Sequence, residues 1–145
     1  MRFAYTSPDT LTNDVRLRGF LTEDASLFIQ SPSGQTAIRL RLEIWLDERA
    51  RRLPPKQPAD VNFIGVVSNQ PEHVALLAQL QRGREVIVRG LLQSRDIHRA
   101  GEHERRVVIE VAALEIIPLP TTRADVLTAA HQMRTSHAHA VEAAR

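Results

Sequence analysis

The chain contains no cysteine, which excludes disulfides, thiolate metal sites and cysteine nucleophiles. Aromatic residues make up only 4% of its 145 positions, so a core must be aliphatic and rings are scarce. Lysine is almost missing: of 19 basic residues only Lys56 is not arginine. No apolar run approaches the roughly 18 residues of a membrane span, so no membrane partner is expected. The opening residues Met1–Pro8 lack the apolar core of a signal peptide, and a cytoplasmic location is the expectation. The six glycines are scattered, so no loop is built to cradle a phosphate. No Ser/His/Asp grouping has a nucleophile-elbow motif, and neither catalysis nor a cofactor is expected. His131, His137 and His139 lack a completing cysteine or carboxylate, and residues two apart do not share a helix face. They read as a solvated tail with no metal.

Other features are present in quantity. Hydrophobic residues reach 43%, enough for one domain with a real core. The net charge is only +2, but it is uneven: residues 51–100 hold eight basic and four acidic side chains. Arginine forks onto phosphates and stacks on flat rings, which lysine does poorly. A GC-rich genome, which favours arginine codons, is the other source of such a bias.

Strand periodicity dominates the middle of the chain. In Gly83–Arg95, Val86, Val88, Gly90 and Leu92 fall on one side, and Glu85, Ile87, Arg89, Leu91, Gln93 and Arg95 on the other. Val15, Leu17, Gly19 and Leu21 oppose Arg16, Arg18 and Phe20 in the same way. Ile38 to Leu46 alternates with Arg39, Arg41, Glu43 and Trp45. Val61–Val67 is a compact apolar run, and Arg106–Ile117 supplies a fifth strand. Ser31–Gly34 is a turn by composition, and Asp96–Glu104 is a hairpin loop with Gly101 near its tip. Residues 70–81 show helical spacing in Val74, Leu76, Leu77 and Leu80, with Gly83 as the stop.

The expected architecture follows from this order. It is all-β: a five-stranded antiparallel barrel with one helix between strands 3 and 4, the element order of the oligonucleotide-binding barrel. Closure also removes open sheet edges. Residues 1–12 form an arm, 13–119 the barrel domain, and 120–145 a C-terminal helix or tail, with Pro118 and Pro120 at the boundary.

Binding a single strand without reading its sequence needs cations along a backbone track and flat groups for bases. Arg16, Arg18, Arg39, Arg41, Arg89 and Arg95 supply outward cations, with Arg105 and Arg106 joining and Gln93 on the same strand face. Their plainer role is to solvate a barrel. Trp45 is the stacking candidate; alternatively it caps the barrel end or lies in a subunit contact. Phe63 and Phe20 fit the core at least as well, though Phe63 is also placed for a ring contact. Arg51, Arg52 and Lys56 lie in a charged, proline-containing loop that either folds over the strand or is a solvated linker.

These residues resemble the bacterial single-stranded DNA-binding proteins. Asn13-Asp14-Val15 leading to Gly19 resembles their opening strand, and Ser31-Pro32-Ser33-Gly34 their second-hairpin turn. Gly83 followed by Val86, Val88, Gly90, Leu92, Gln93 and Arg95 resembles their fourth strand. Gly101–Ala112, with Arg105, Glu110 and Val111, is similar to their last hairpin. The primosomal replication proteins of the same superfamily fit about as well, through Ser31–Gly34 and Leu42-Glu43. The resemblance spans about residues 13–117. It implies single-stranded DNA as the partner and homo-oligomers (dimers or tetramers). A protein-interaction module of the same fold, docking a helicase, a primase or a copy of itself, and a single-stranded RNA binder remain the rival readings. Where the family places rings, this chain has Asp47 and Ile97, and its closing residues Ala140–Arg145 are not an acidic recruiting tip.

Overall fold

The computed structural model describes residues 12–45, 61–97, 101 and 103–143, with backbone alone at 134 and 136–143. The alternating segments become strands: β1 (Val15–Leu21), β3 (Gln35–Trp45), β4 (Val61–Ser68), β5 (Arg84–Ile97) and β6 (Arg106–Thr122). These five close on themselves in the order β1-β5-β6-β4-β3, with β3 returning to β1. A further strand, β2 (Ser26–Gln30), pairs along β3 outside the ring. Ser31–Gly34 joins them, and Gly34 takes φ 72, a left-handed conformation that glycine adopts without penalty.

The inward phase forms the core. Ile38, Leu40, Leu42, Val66, Val86, Val88 and Val111 are fully buried, and Leu21, Leu80, Ala113 and Ile116 complete the cluster. Every member is aliphatic, as the scarcity of aromatics requires. Asn13 extends the β1–β5 seam: its side chain donates to the Leu92 carbonyl and accepts from the Leu92 amide, both at 2.8 Å.

Four expectations need correction. The barrel is not wholly antiparallel, because β4 and β6 run parallel over Gly65–Val67 and Glu110–Ala112. Periodicity fixes which face a residue takes but not which strand it pairs with. The helix over 70–81 is shorter: α1 (Pro71–Val74) is followed by a 3-10 turn, Leu77–Gln79. The last strand runs through Pro118 and Pro120 to Thr122, opposite Arg84, because extended backbone accommodates proline where the ladder is irregular. Leu92, assigned to the buried side, is 44% exposed, because β5 continues past the last β1 pair, Val15–Gly90.

After β6 the chain becomes a helix, α2 (Arg123–Ala143). Thr122 and Asp125 cap it reciprocally: the Thr122 amide donates to Asp125 Oδ2 at 2.9 Å, and the Asp125 amide to Thr122 Oγ1 at 3.2 Å. Arg123 anchors its start by a forked bond to Glu43 at 2.7 and 3.3 Å. Of the expected arm over 1–12, residues 1–11 lie outside the described residues.

One buried polar pair holds α1 against the barrel. His73 is 5% exposed, and its Nδ1 lies 2.6 Å from Ser68 Oγ. That hydroxyl also accepts from the Gln70 amide at 3.2 Å, so its own hydrogen is free for Nδ1. Burial lowers the His73 pKa, and nearby Glu72 partly opposes this. The neutral form therefore stabilises the fold above the ordinary histidine range of about 6.5, and that contribution is lost as pH falls through the lowered value. The urea midpoint should accordingly fall between pH 7 and pH 5, and fall less in His73→Gln. Equal falls in the two proteins would exclude His73 as the cause.

Candidate nucleic-acid interface

Alternation sends every second side chain of the ring outward, and strand register decides which of them meet. Arg41 is level with Gly65 on β4, Gly65 with Glu110 on β6, and Glu110 with Gln93 on β5. The neighbouring row is Arg39, Val67, Ala112 and Leu91. On the other side Glu43 is level with Phe63, and Arg95 stands two residues beyond Gln93. Arg39, Arg41, Phe63, Gln93 and Arg95 thus share one outer face, and Gly65 leaves its middle without a side chain.

The face has an acid beneath it. Glu110 is 3% exposed, and its Oε1 accepts from Gln93 Nε2 at 3.0 Å and Arg95 Nε at 3.1 Å. A buried carboxylate requires such partners. The bond takes Arg95 by Nε, its side chain is half-exposed, and its terminal nitrogens have no partner among the described residues.

Two arginines on this face rest on rings. The Arg39 guanidinium carbon is 4.4 Å from the centre of the Phe28 ring, and that of Arg41 is 5.5 Å from the centre of Phe63. Phe63 is 56% exposed, so the core assignment weighed for it does not hold. Among the described residues neither Arg39 nor Arg41 forms an ion pair. Phe28 is the residue that sequence reasoning missed. Leu27, Phe28 and Ile29 are consecutive and apolar, so no alternation marks their strand. The available signal was a ring just before the Ser31–Gly34 turn, within hairpin reach of Arg39.

The remaining candidates lie elsewhere. Arg16 is opposite Arg89 on the β1–β5 arc. Arg89 lies 3.4 Å from Asp14 and 3.7 Å from Glu115. Arg18 donates to Glu85 at 2.6 Å, and Glu85, expected to face water, is 1% exposed. The cover comes from a seam where outward Phe20 is itself buried and packs on Trp45, with ring centroids 4.9 Å apart. The Arg123 guanidinium carbon lies 6.0 Å from the centre of the Trp45 ring, and the buried Trp45 Nε1 has no partner among the described residues. Much of the Trp45 surface is therefore used by the barrel itself. Arg105 and Arg106 are exposed where β6 begins. Arg51, Arg52 and Lys56 lie outside the described residues.

No protein-family model matches this sequence, and no curated protein does. Solved structures do match in shape. The SSB of Plasmodium falciparum in complex with ssDNA superposes with a TM-score of 0.57 at 21% identity, covering 78% of this chain and 99% of that one. A small single-stranded DNA-binding protein from Streptomyces coelicolor gives 0.53 at 20% identity, covering 76% of this chain and 97% of that one. The fold is the oligonucleotide-binding barrel. In this barrel the face of Arg39, Arg41, Phe63, Gln93 and Arg95 spans β3, β4, β6 and β5, and the β2–β3 hairpin adds Phe28 at its rim. The described residues include no cluster of three or more metal-ligating side chains. None of their helices is long and apolar enough to cross a membrane.

Proposed function

We propose that this chain binds single-stranded DNA without reading its sequence, on the outer face of β3, β4, β6 and β5. One observation supports this above others: Arg39 and Arg41, with no ion pair among the described residues, share a face with half-exposed Arg95 and exposed Phe63, on a barrel whose structural neighbours are single-stranded DNA-binding proteins. The arginines hold phosphates, and Trp45 and the outer arginines Arg16, Arg18, Arg89, Arg105 and Arg106 act at the margins. The biological setting fits replication, recombination or plasmid-type transfer.

An oligo-dT titration at two salt concentrations tests the reading. A single strand releases counterions with a slope of about −0.7 per phosphate contact, so three or four contacts cost about 20- to 50-fold in affinity between 50 and 200 mM salt. An affinity that hardly moves would remove the arginine track. No binding at all would leave the protein-interaction reading, and tighter binding of a matched RNA would favour the RNA reading.

Self-association is the second part of the proposal. Beyond β1, the β5–β6 hairpin exposes Leu92, Val107 and Ile109 on the side away from the arginines. Contiguous exposed apolar side chains of this kind mark interaction surfaces. Light scattering of the intact chain distinguishes one, two or four copies.

A further inference from the structure

The two ring-backed arginines differ from the others in a way that phosphate binding does not require. A guanidinium forks onto phosphate through the N–H donors at its edge and needs no ring against its face for that. Arg39 and Arg41 each lie over a phenylalanine, Arg39 leaning to Phe28 on β2 and Arg41 to Phe63 on β4. A guanidinium is flat and delocalised. With a ring on one side, a guanidinium can take a second flat group on the other, while its N–H donors stay in the plane at its edge.

We infer that Arg39 and Arg41 are base platforms as well as phosphate contacts: each takes a nucleobase on the guanidinium face turned away from its phenylalanine. The inference rests on the proposed binding of single strands and specifies how bases are held. It also accounts for the shortage of rings. Two phenylalanines that do not touch the base themselves still hold the planes that do.

The spacing fits two separate bases. Arg39 and Arg41 are two residues apart on one strand face, about 6.6 Å at the usual rise, and they lean in opposite directions. Stacked bases are only about 3.4 Å apart. Bases on these two platforms therefore cannot stack on each other, and the strand is held open. Sequence neutrality follows, because every base has a flat face.

The test compares oligo-dT with an abasic strand of equal length, which keeps sugar and phosphate and lacks bases. The intact chain should bind oligo-dT at least tenfold more tightly than the abasic strand. In the double variant Arg39→Lys, Arg41→Lys the charge remains and the plane is gone. The loss should fall on oligo-dT, bringing the two strands to within about threefold. A second variant, Phe28→Leu with Phe63→Leu, removes the backing and should shrink the same ratio. If the lysine variant keeps the tenfold ratio, the platforms are not the arginines. If the intact chain binds both strands equally, bases are not held at all. If it binds neither strand, the underlying proposal of single-strand binding fails as well.

Discussion

Replacing Arg39, Arg41 and Arg95 together by alanine should lower affinity for oligo-dT by about 10²- to 10³-fold at low salt, because on the proposed reading each holds a phosphate by a charged hydrogen bond. The slope of log affinity against log salt should flatten by about two, at about 0.7 per lost contact. The contrasting variant is Arg16→Ala with Arg89→Ala. Arg89 already faces Asp14 and Glu115, so its charge is largely spent within the barrel. That double variant should change affinity by no more than about threefold, because both arginines lie on the β1–β5 arc, away from the face of Arg39 and Arg41, and Arg89 is also held by two carboxylates. Arg18 is omitted deliberately, since its loss would remove the 2.6 Å charged hydrogen bond it donates to buried Glu85. If the two variants lose affinity equally, the track encircles the barrel and is not confined to one face. If only the Arg16/Arg89 variant loses affinity, the face is misplaced.

This contrast also shows what could be read from the residues alone. The strands around Ile38–Ile44 and Val86–Val88 were legible because each buries one face, and a period of two follows from that burial. β2 was not legible, because it pairs on one side only and Leu27 and Ile29 stay exposed. Outward direction was legible for Arg39, Arg41, Arg89 and Arg95 alike. Their electrostatic state was not, because it depends on distant partners. Asp14 meets Arg89 across the β1–β5 seam, and Glu110 meets Arg95 across β5 and β6. Glu85 failed for a related reason. Its phase is outward, but at that seam the outward side chains are themselves covered: Phe20, level with Glu85, is buried and packs on Trp45.

The same long-range dependence makes Gly90 the most sensitive backbone position. Gly90→Ala should destabilise the fold by about 3–5 kcal/mol, a loss reserved for severe steric or packing faults. A Cβ on Gly90 would stand 2.2 Å from the Ala112 carbonyl oxygen and 2.9 Å from Val111 Cγ1. The first of these is backbone and cannot swing aside. The ladder passes from the pair Arg89–Glu115 to the pair Gly90–Ala113, leaving Leu114 as an extra residue in β6. Such a bulge bends and twists the pair. Gly90 is where the two strands come close enough to do so, and the bend re-aims the outer hairpin with Gln93 and Arg95. The urea midpoint should fall by about 2 M, at a typical slope of 1–3 kcal/mol per molar. Gly34→Ala supplies the comparison: its φ of 72 is unfavourable for alanine, but no atom lies within 4 Å of the added carbon. That change should cost only about 1 kcal/mol. A Gly90→Ala midpoint as high as that of Gly34→Ala would mean that β5 and β6 do not approach this closely. If Gly90→Ala stays folded but loses oligo-dT binding, the bulge positions the arginine face without being needed for the fold.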